Sequence, residues 1–442
     1  MKKVLSFLSI FFLTCLVCLT SCKGSTNSSS KEGKVLNIYC WNTEFKDIFE
    51  KFYQPKMPSD IVVNFIITPN QNNEYQNRLD EALMRQLSIS HDDRIDLFLI
   101  ESDYVKKYVD TPYALDVKKE IGLSDANLAY QYNYTKDLIT DNKKSLKGVS
   151  WQATPSGFIY RRSYAKEVLG TDDPEEVQKY LSNWDDFANV AKMAKSKGYF
   201  MLSGYDDSFR AFAANISSKW VKGNTIVIDP QIIKWIEMTK DFSEKNYNNH
   251  ASLWSEESGK GMGKDGKVFG YFGPSWFIDY TMVENSLENA DEPHVVGNGS
   301  FGDWAFCSGP QVFSWGGTWI CGAAGTDNKS LVKDIMYTLT CDTNTMEAIS
   351  KETGDFVNNE SAMYNVANSN YQNAFLGGQN HIALFINSAK SIDKTNTSPY
   401  DQGITENLMS SMKYYYDNEK TLDQAWNKFY SSVLEVYPNL VK

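Results

Sequence analysis

Strand-length apolar runs alternate with helix-period segments from Val35 onward. An α/β architecture with a largely parallel sheet is the arrangement that buries both kinds of element at once. Val35-Leu36-Asn37-Ile38-Tyr39-Cys40-Trp41 reads as the first strand, and Ile48, Phe49, Phe52 and Tyr53 share one face of the helix after it. A second strand runs from Ile61 to Thr68 and ends at Pro69; a longer helix follows, with Leu79, Leu83 and Leu87 recurring on one side. Ile95 to Ile100 forms the third strand. Ligands in such sheets bind beyond the carboxyl ends of the strands. Trp41-Asn42-Thr43-Glu44 and Glu101-Ser102-Asp103-Tyr104 are therefore candidates by position alone.

The chain starts with Lys2 and Lys3 and an apolar stretch from Val4 to Leu19, which is too short and too abruptly ended for an ordinary membrane span. Residues 1–21 are read as an export signal. Leu19-Thr20-Ser21-Cys22 resembles the bacterial lipobox, which implies diacylglycerol on the Cys22 thiol and cleavage just before it. Two acyl chains hold a protein to a bilayer far better than one, so an extracytoplasmic protein anchored to the cell membrane is expected. Residues 22–34, with the run Ser25-Thr26-Asn27-Ser28-Ser29-Ser30, read as a flexible tether.

Of seven cysteines, Cys15 and Cys18 would leave with the signal and Cys22 would be acylated. Cys40, Cys307, Cys321 and Cys341 are too sparse for a disulfide scaffold and lack the spacing of a zinc site. Buried free thiols are expected, with a Cys307–Cys321 bridge as the alternative. His91, His250, His294 and His381 are scattered, and Gly259-Lys260-Gly261-Met262-Gly263-Lys264 lacks the glycine gap and hydroxyl of a phosphate loop. No metal and no cofactor is called for.

The formal charge is -11, and it becomes -13 once Lys2 and Lys3 are removed. Such a balance gives no electrostatic case for nucleic acid. Eleven Trp, 26 Tyr and 24 Phe make a heavy aromatic load, which fits sugar binding because pyranose C–H faces stack on aromatic rings.

Further along, Val149-Ser150-Trp151-Gln152 meets Ala153-Thr154-Pro155-Ser156-Gly157, and the strand Phe158-Ile159-Tyr160 follows. Ser182-Asn183-Trp184-Asp185 has capping-box spacing ahead of a helix carrying Phe187, Ala188, Ala191 and Ala194, with Gly198 as its stop. Trp184, Trp235 and Trp426 read as core. Residues 255–267, rich in glycine and lysine, read as an exposed loop, and from Leu331 the chain reads mainly as helices.

In this order the signals resemble the extracellular solute-binding proteins of carbohydrate ABC importers, the maltodextrin-binding-like group. The resemblance rests on Ile38-Tyr39-Cys40-Trp41, Asp96-Leu97-Phe98-Leu99 ahead of Glu101 and Asp103, and Tyr160-Arg161-Arg162-Ser163. Trp184 with Phe187, Gly273-Pro274-Ser275-Trp276 and Trp315-Gly316-Gly317-Thr318-Trp319 complete it. Cys40-Trp41 and Arg162-Ser163 depart from the family's usual residues. The resemblance implies two α/β lobes, one from residues 35–149 and 313–356 and the other from 150–312 and 357–442. Crossings are expected near 150–153, 311–313 and 356–358, with hinge closure over a sugar and recognition of the closed form by the importer's permease subunits. A monomer that does not alter its ligand is expected. A lipid-anchored glycoside hydrolase, or a binding protein for peptides or polyamines, stays open as an alternative.

The candidate ligand-binding residues are then Trp41, Trp151, Trp276, Trp315 and Trp319 for stacking, the last two around a glycine pair that lets backbone approach a ligand. Glu44, Glu101, Asp103, Asp206, Asp207 and Arg210 supply paired acceptors or donors for vicinal hydroxyls, and Asn380, beside His381, is a further amide.

Overall fold

The computed structural model describes residues 32–289 and 291–442. The export signal, Cys22 and most of the tether therefore lie outside the described residues. The described strands are β1 (Val35–Cys40), β2 (Val62–Ile67), β3 (Leu97–Glu101), β4 (Val149–Ser150), β5 (Pro155–Arg161), β6 (Leu202–Gly204), β7 (Val221–Lys222), β8 (Thr225–Ile226), β9 (Asn248–Ala251), β10 (Gly270–Pro274), β11 (Trp304–Cys307), β12 (Phe313–Ser314) and β13 (Thr318–Gly322).

Two sheets organise the molecule. The first has the order β2-β1-β3-β13-β4. Its early strands are parallel, with Ile38 opposite both Phe65 and Leu97, because a helix returns the chain between them. β13 enters antiparallel between β3 and β4, with Ile320 opposite Leu99 and Val149. The second sheet runs β10-β5-β11, with β12 also on β5, and is antiparallel throughout. A largely parallel sheet thus describes only part of the body. All of β5 is buried, as a strand covered on both faces must be.

The chain leaves the first sheet at β4 and enters the second at β5, and it returns between β12 and β13. A third contact between these paths is the antiparallel bridge of Gln152 to Val357. There Ala153 N donates to Phe356 O, and Asn358 N donates to Trp151 O. A separate apolar core joins the helices Pro230–Glu244, Asp401–Tyr416 and Leu422–Val436 through Trp235, Leu408, Met412, Phe429 and Val433.

Local signals act as their chemistry dictates. Asn183 caps the helix Trp184–Ser196 by accepting from Asp186 N, and Gly198 follows that helix at φ +87°. Leu87, by contrast, is exposed in a turn after the helix Glu74–Arg85 ends. The expected loop at 255–267 contains the helix Glu256–Met262, whose first turn Ser255 caps through Ser258 N. Its glycines serve packing: a Cβ on Gly261 would lie 2.5 Å from the Tyr271 hydroxyl. The four described cysteines are free and buried, with no Cys307–Cys321 bridge. Burial pushes the Cys307 thiol up to about 12 and raises the other three thiols as well. Among the described residues no helix is long and apolar enough to cross a membrane.

Candidate functional site

A cleft of about 940 Å³ lies between the ends of the first sheet and the second half of the molecule. Its first wall comes from strand ends. Glu101 closes β3, and Ser102, Asp103 and Tyr104 follow into the cleft. Beyond β2, Asn72 and Asn73 take left-handed backbone (φ 51° and 61°), which asparagine tolerates better than most residues. Asn73 Oδ1 there accepts from Gln402 Nε2 at 2.9 Å.

The opposite wall is built on β6 and β9. Asp207 accepts from Ser203 N and Gly204 N at 2.6 and 3.0 Å and fixes the turn after β6. Asp206 accepts from Leu253 N at 3.0 Å and Ser252 Oγ at 3.1 Å, which holds the segment carrying Trp254 against the cleft. Arg210, in the short helix Phe209–Ala213, reaches across and donates to both oxygens of Asp103 at 2.7 and 2.6 Å. Such a two-pronged pair is the strong form of guanidinium–carboxylate bond. The same guanidinium lies 5.5 Å over the Trp315 ring.

Trp315 is the centre of an aromatic wall, with ring centroids 5.7 Å from Trp254 and 5.1 Å from Trp276. Tyr280 lies 6.0 Å from both Trp254 and Trp276. The glycine pair makes this possible. Gly316 has φ +79°, and a Cβ there would press on the Trp276 indole at 3.0 Å, so Trp276 Nε1 can donate to Trp315 O at 3.2 Å.

The electrostatics follow from enclosure. Burial pushes Glu101 up to about 8, and the neighbouring Asp103 charge adds to it. For Asp103 burial works the other way from Arg210, and the guanidinium prevails, holding the carboxyl below its ordinary range. Lys394, which donates to Ser314 O at 3.2 Å, is lowered to about 8 by burial. Asp401 is raised to about 6 for the same reason.

Of the residues singled out by sequence, Glu101, Asp103, Asp206, Arg210 and Trp315 line this one cleft. Trp276 backs Trp315, and Trp41 stands behind Tyr104 at a ring distance of 6.3 Å. Others belong elsewhere. Trp151 is 1% exposed and packs on Phe45 at 5.4 Å, a core role rather than a stacking one. Trp319 is 2% exposed in the middle of the first sheet, where its Nε1 donates to Thr135 O at 3.0 Å. Asp207 is a buried turn fastener, as described above. Asn380 spends its amide on Val366 O at 2.9 Å, and buried His381 meets Gly354 O at 2.8 Å. Glu44 accepts from Gln152 Nε2 at 2.6 Å beside the crossing segments, apart from the main cleft. Trp184 is half-buried, stacked on Phe212 at 4.2 Å, with its Nε1 donating to Gln311.

Sequence reasoning missed Trp254, Lys394, Asp401 and Glu406, all on the cleft wall. For Trp254 a signal existed, since it lies three residues beyond the end of the strand β9. Among the described residues no cluster of His, Cys, Asp and Glu is placed to hold a metal ion. The cleft can therefore offer a small polar molecule ring faces, carboxylates, amides and a guanidinium.

Solved structures share this fold at low identity. The ABC transporter-associated binding protein from B. animalis subsp. lactis Bl-04, solved with beta-1,6-galactobiose, has a TM-score of 0.65 at 16% identity, covering 92% of this chain and 98% of that one. The galacto-N-biose-/lacto-N-biose I-binding protein from Bifidobacterium longum has a TM-score of 0.68 at 13% identity, with 93% and 100% covered. The sugar-binding protein MalE from Xanthomonas citri has a TM-score of 0.67 at 12% identity, with 91% and 97% covered. The fold is the two-lobe binding-protein fold of these molecules. No curated protein matches the chain in sequence. The family model described as bacterial extracellular solute-binding protein matches residues 48–375, and the chain belongs to that family.

Proposed function

We propose that this protein captures a sugar or oligosaccharide and delivers it, chemically unaltered, to the permease subunits of an ABC importer. The observation that carries this reading is the composition of the cleft, in which the Trp254 and Trp315 rings stand with Asp103 and Arg210 around one cavity. Ring faces for C–H surfaces beside paired acceptors and donors for hydroxyls are what a sugar needs. The solved neighbours that carry galactobiose and lacto-N-biose agree with it. The residues we assign to ligand contact are Glu101, Asp103, Asp206, Arg210, Trp254 and Trp315, with Trp41 and Trp276 supporting the rings.

The moving bodies on this reading are residues 35–149 with 313–356 and residues 150–312 with 357–442. A glycan panel screened by thermal shift, followed by calorimetry of the hits, tests the function. The reading fails if no saccharide raises the melting temperature while a peptide or polyamine does. Chromatography after overnight incubation should return the bound oligosaccharide intact.

Cys22 is the proposed lipid attachment site of a monomeric, extracytoplasmic protein anchored to the bacterial cell membrane. Cys22→Ser should leave the protein unlipidated and free in the wash from membranes. Equal retention of mutant and wild type would sink the anchor.

A further inference from the structure

The charge of the cleft is more one-sided than a neutral sugar needs. Asp103, Asp206, Asp393, Asp401 and Glu406 line it beside Glu101, which burial keeps protonated near neutral pH, against two cations, Arg210 and Lys394. Arg210 is committed to Asp103 through both of its terminal nitrogens. Lys394 rests on Ser314 O. Among the described residues Asp206, Asp393, Asp401 and Glu406 have no ion-pair partner; their oxygens take only neutral donors, such as Gln402 Nε2 on Glu406 at 3.0 Å and Ser398 N on Asp401 at 3.0 Å.

Two hydroxyls point the same way. Tyr104 and Ser314 line the cleft, are 5% and 3% exposed, and have no hydrogen-bond partner for either oxygen. Buried hydroxyls are ordinarily paired, so these two leave unmet hydrogen-bonding capacity just beneath the cleft wall, which a ligand reaches only with a small movement of that wall.

Closure over a neutral sugar would desolvate this excess of carboxylates without compensating it, and an uncompensated buried charge is expensive. An ammonium on the sugar removes the problem. It brings three donors and a positive charge, and the exposed ring of Trp254 attracts a cation as well as a sugar ring. We infer that the ligand of this cleft is an amino sugar or its oligomer, carrying at least one free, protonated amine. The inference rests on the sugar-binding reading above and narrows it.

The test is calorimetry of the full mature chain with three trimers of matched length: the glucosamine trimer, the N-acetylglucosamine trimer and cellotriose, with spermidine as the cationic non-sugar. The glucosamine trimer should bind about tenfold or more tightly than the other two, the step expected for one well-placed charged hydrogen bond. The preference should shrink when salt rises from about 20 to about 500 mM, because added ions screen the carboxylates. Glu406→Gln and Asp401→Asn should each narrow it severalfold by weakening the glucosamine trimer more than cellotriose, and a normal melting curve for either variant keeps the comparison sound. If the amine-bearing trimer binds no better than its neutral counterparts, or does not bind, the inference is overturned. Neutral trimers that still bind would leave the sugar reading standing. Failure of every trimer with binding of spermidine would remove both.

Discussion

Trp254 leaves 55% of its surface exposed beside the cleft, whereas Trp319 leaves 2% and is locked into a sheet. The two should therefore fail differently when truncated. Trp254→Ala removes a platform for the ligand and should weaken sugar affinity by roughly 1–3 kcal/mol, with little change in the unfolding midpoint. Trp319→Ala opens a cavity in the core and should cost about 3–5 kcal/mol of folding free energy. Calorimetry and thermal melts on both variants check this, and a Trp254→Ala protein that melts early yet binds normally would move the site elsewhere. The same contrast explains what the sequence could reveal at this scale. Glu101 and Asp103 stand at the end of a strand and just past it, where an α/β sheet places its ligands, Arg210 follows in the polar segment after β6, and Trp315 stands before a glycine pair. Trp319 lies past that pair, but the positive φ of Gly316 and Gly317 turns the chain into β13, so the indole enters the core instead of the cleft. Lys394, Asp401 and Glu406 carried no such mark, because they reach the cleft only through the packing of the helix Asp401–Tyr416 and the segment before it.

At the scale of elements, alternating periodicity made the first three strands and their helices legible, with ends displaced by a residue or two. The second sheet was not legible in the same way. Its pairings, such as Ile159 with Tyr271, join residues far apart in the chain, and no local pattern names a strand's partner. The crossing segments between the sheets hold a feature that only the folded chain creates: Gln152 Nε2 donates to Glu44 at 2.6 Å and to Asp355 at 3.1 Å. Burial pushes Glu44 up to about 8, and the charges of Asp355 and Asp279 add to the rise. Folded Glu44 then keeps a proton that the unfolded chain releases above its ordinary value of 4.5. Its stabilising contribution is full below that value and is lost as pH climbs through about 8. Glu44→Gln keeps an acceptor for the Gln152 amide but cannot ionise. The variant should show a flatter melting temperature between about pH 5 and pH 8 and should melt above wild type at the upper end. Parallel curves for the two proteins would mean that Glu44 does not titrate in that range.

For the whole molecule, Asp103 and Arg210 matter because they tie one wall of the cleft to the other, aided by the Asn73–Gln402 contact. The pair is about a third exposed, at 29% and 30%, so it is screened more than a core pair and less than a surface one. A contribution of about 1 kcal/mol, at the upper end for exposed pairs, changes the ratio of closed to open molecules roughly fivefold. Arg210→Met keeps the length of the side chain and removes the charge, leaving Asp103 without its partner. The ligand-free variant should then populate the open form more than wild type does, and its radius of gyration by small-angle scattering should rise by a few tenths of an ångström, since a fivefold change in ratio moves at most about 0.4 of the population through a hinge opening on the order of 1 Å. Wild type should change less on adding its sugar, since part of its population is already closed. The variant should also bind more weakly, because the proposed site assigns the guanidinium a ligand contact as well as the latch. Asp103→Asn breaks the ion pair while keeping Arg210 and leaving an amide oxygen as acceptor at position 103, so it should open the empty cleft to a similar extent and lose less affinity than Arg210→Met. Scattering profiles that stay the same across wild type and both variants, with and without saturating sugar, would mean a rigid preformed cleft and would exclude the latch.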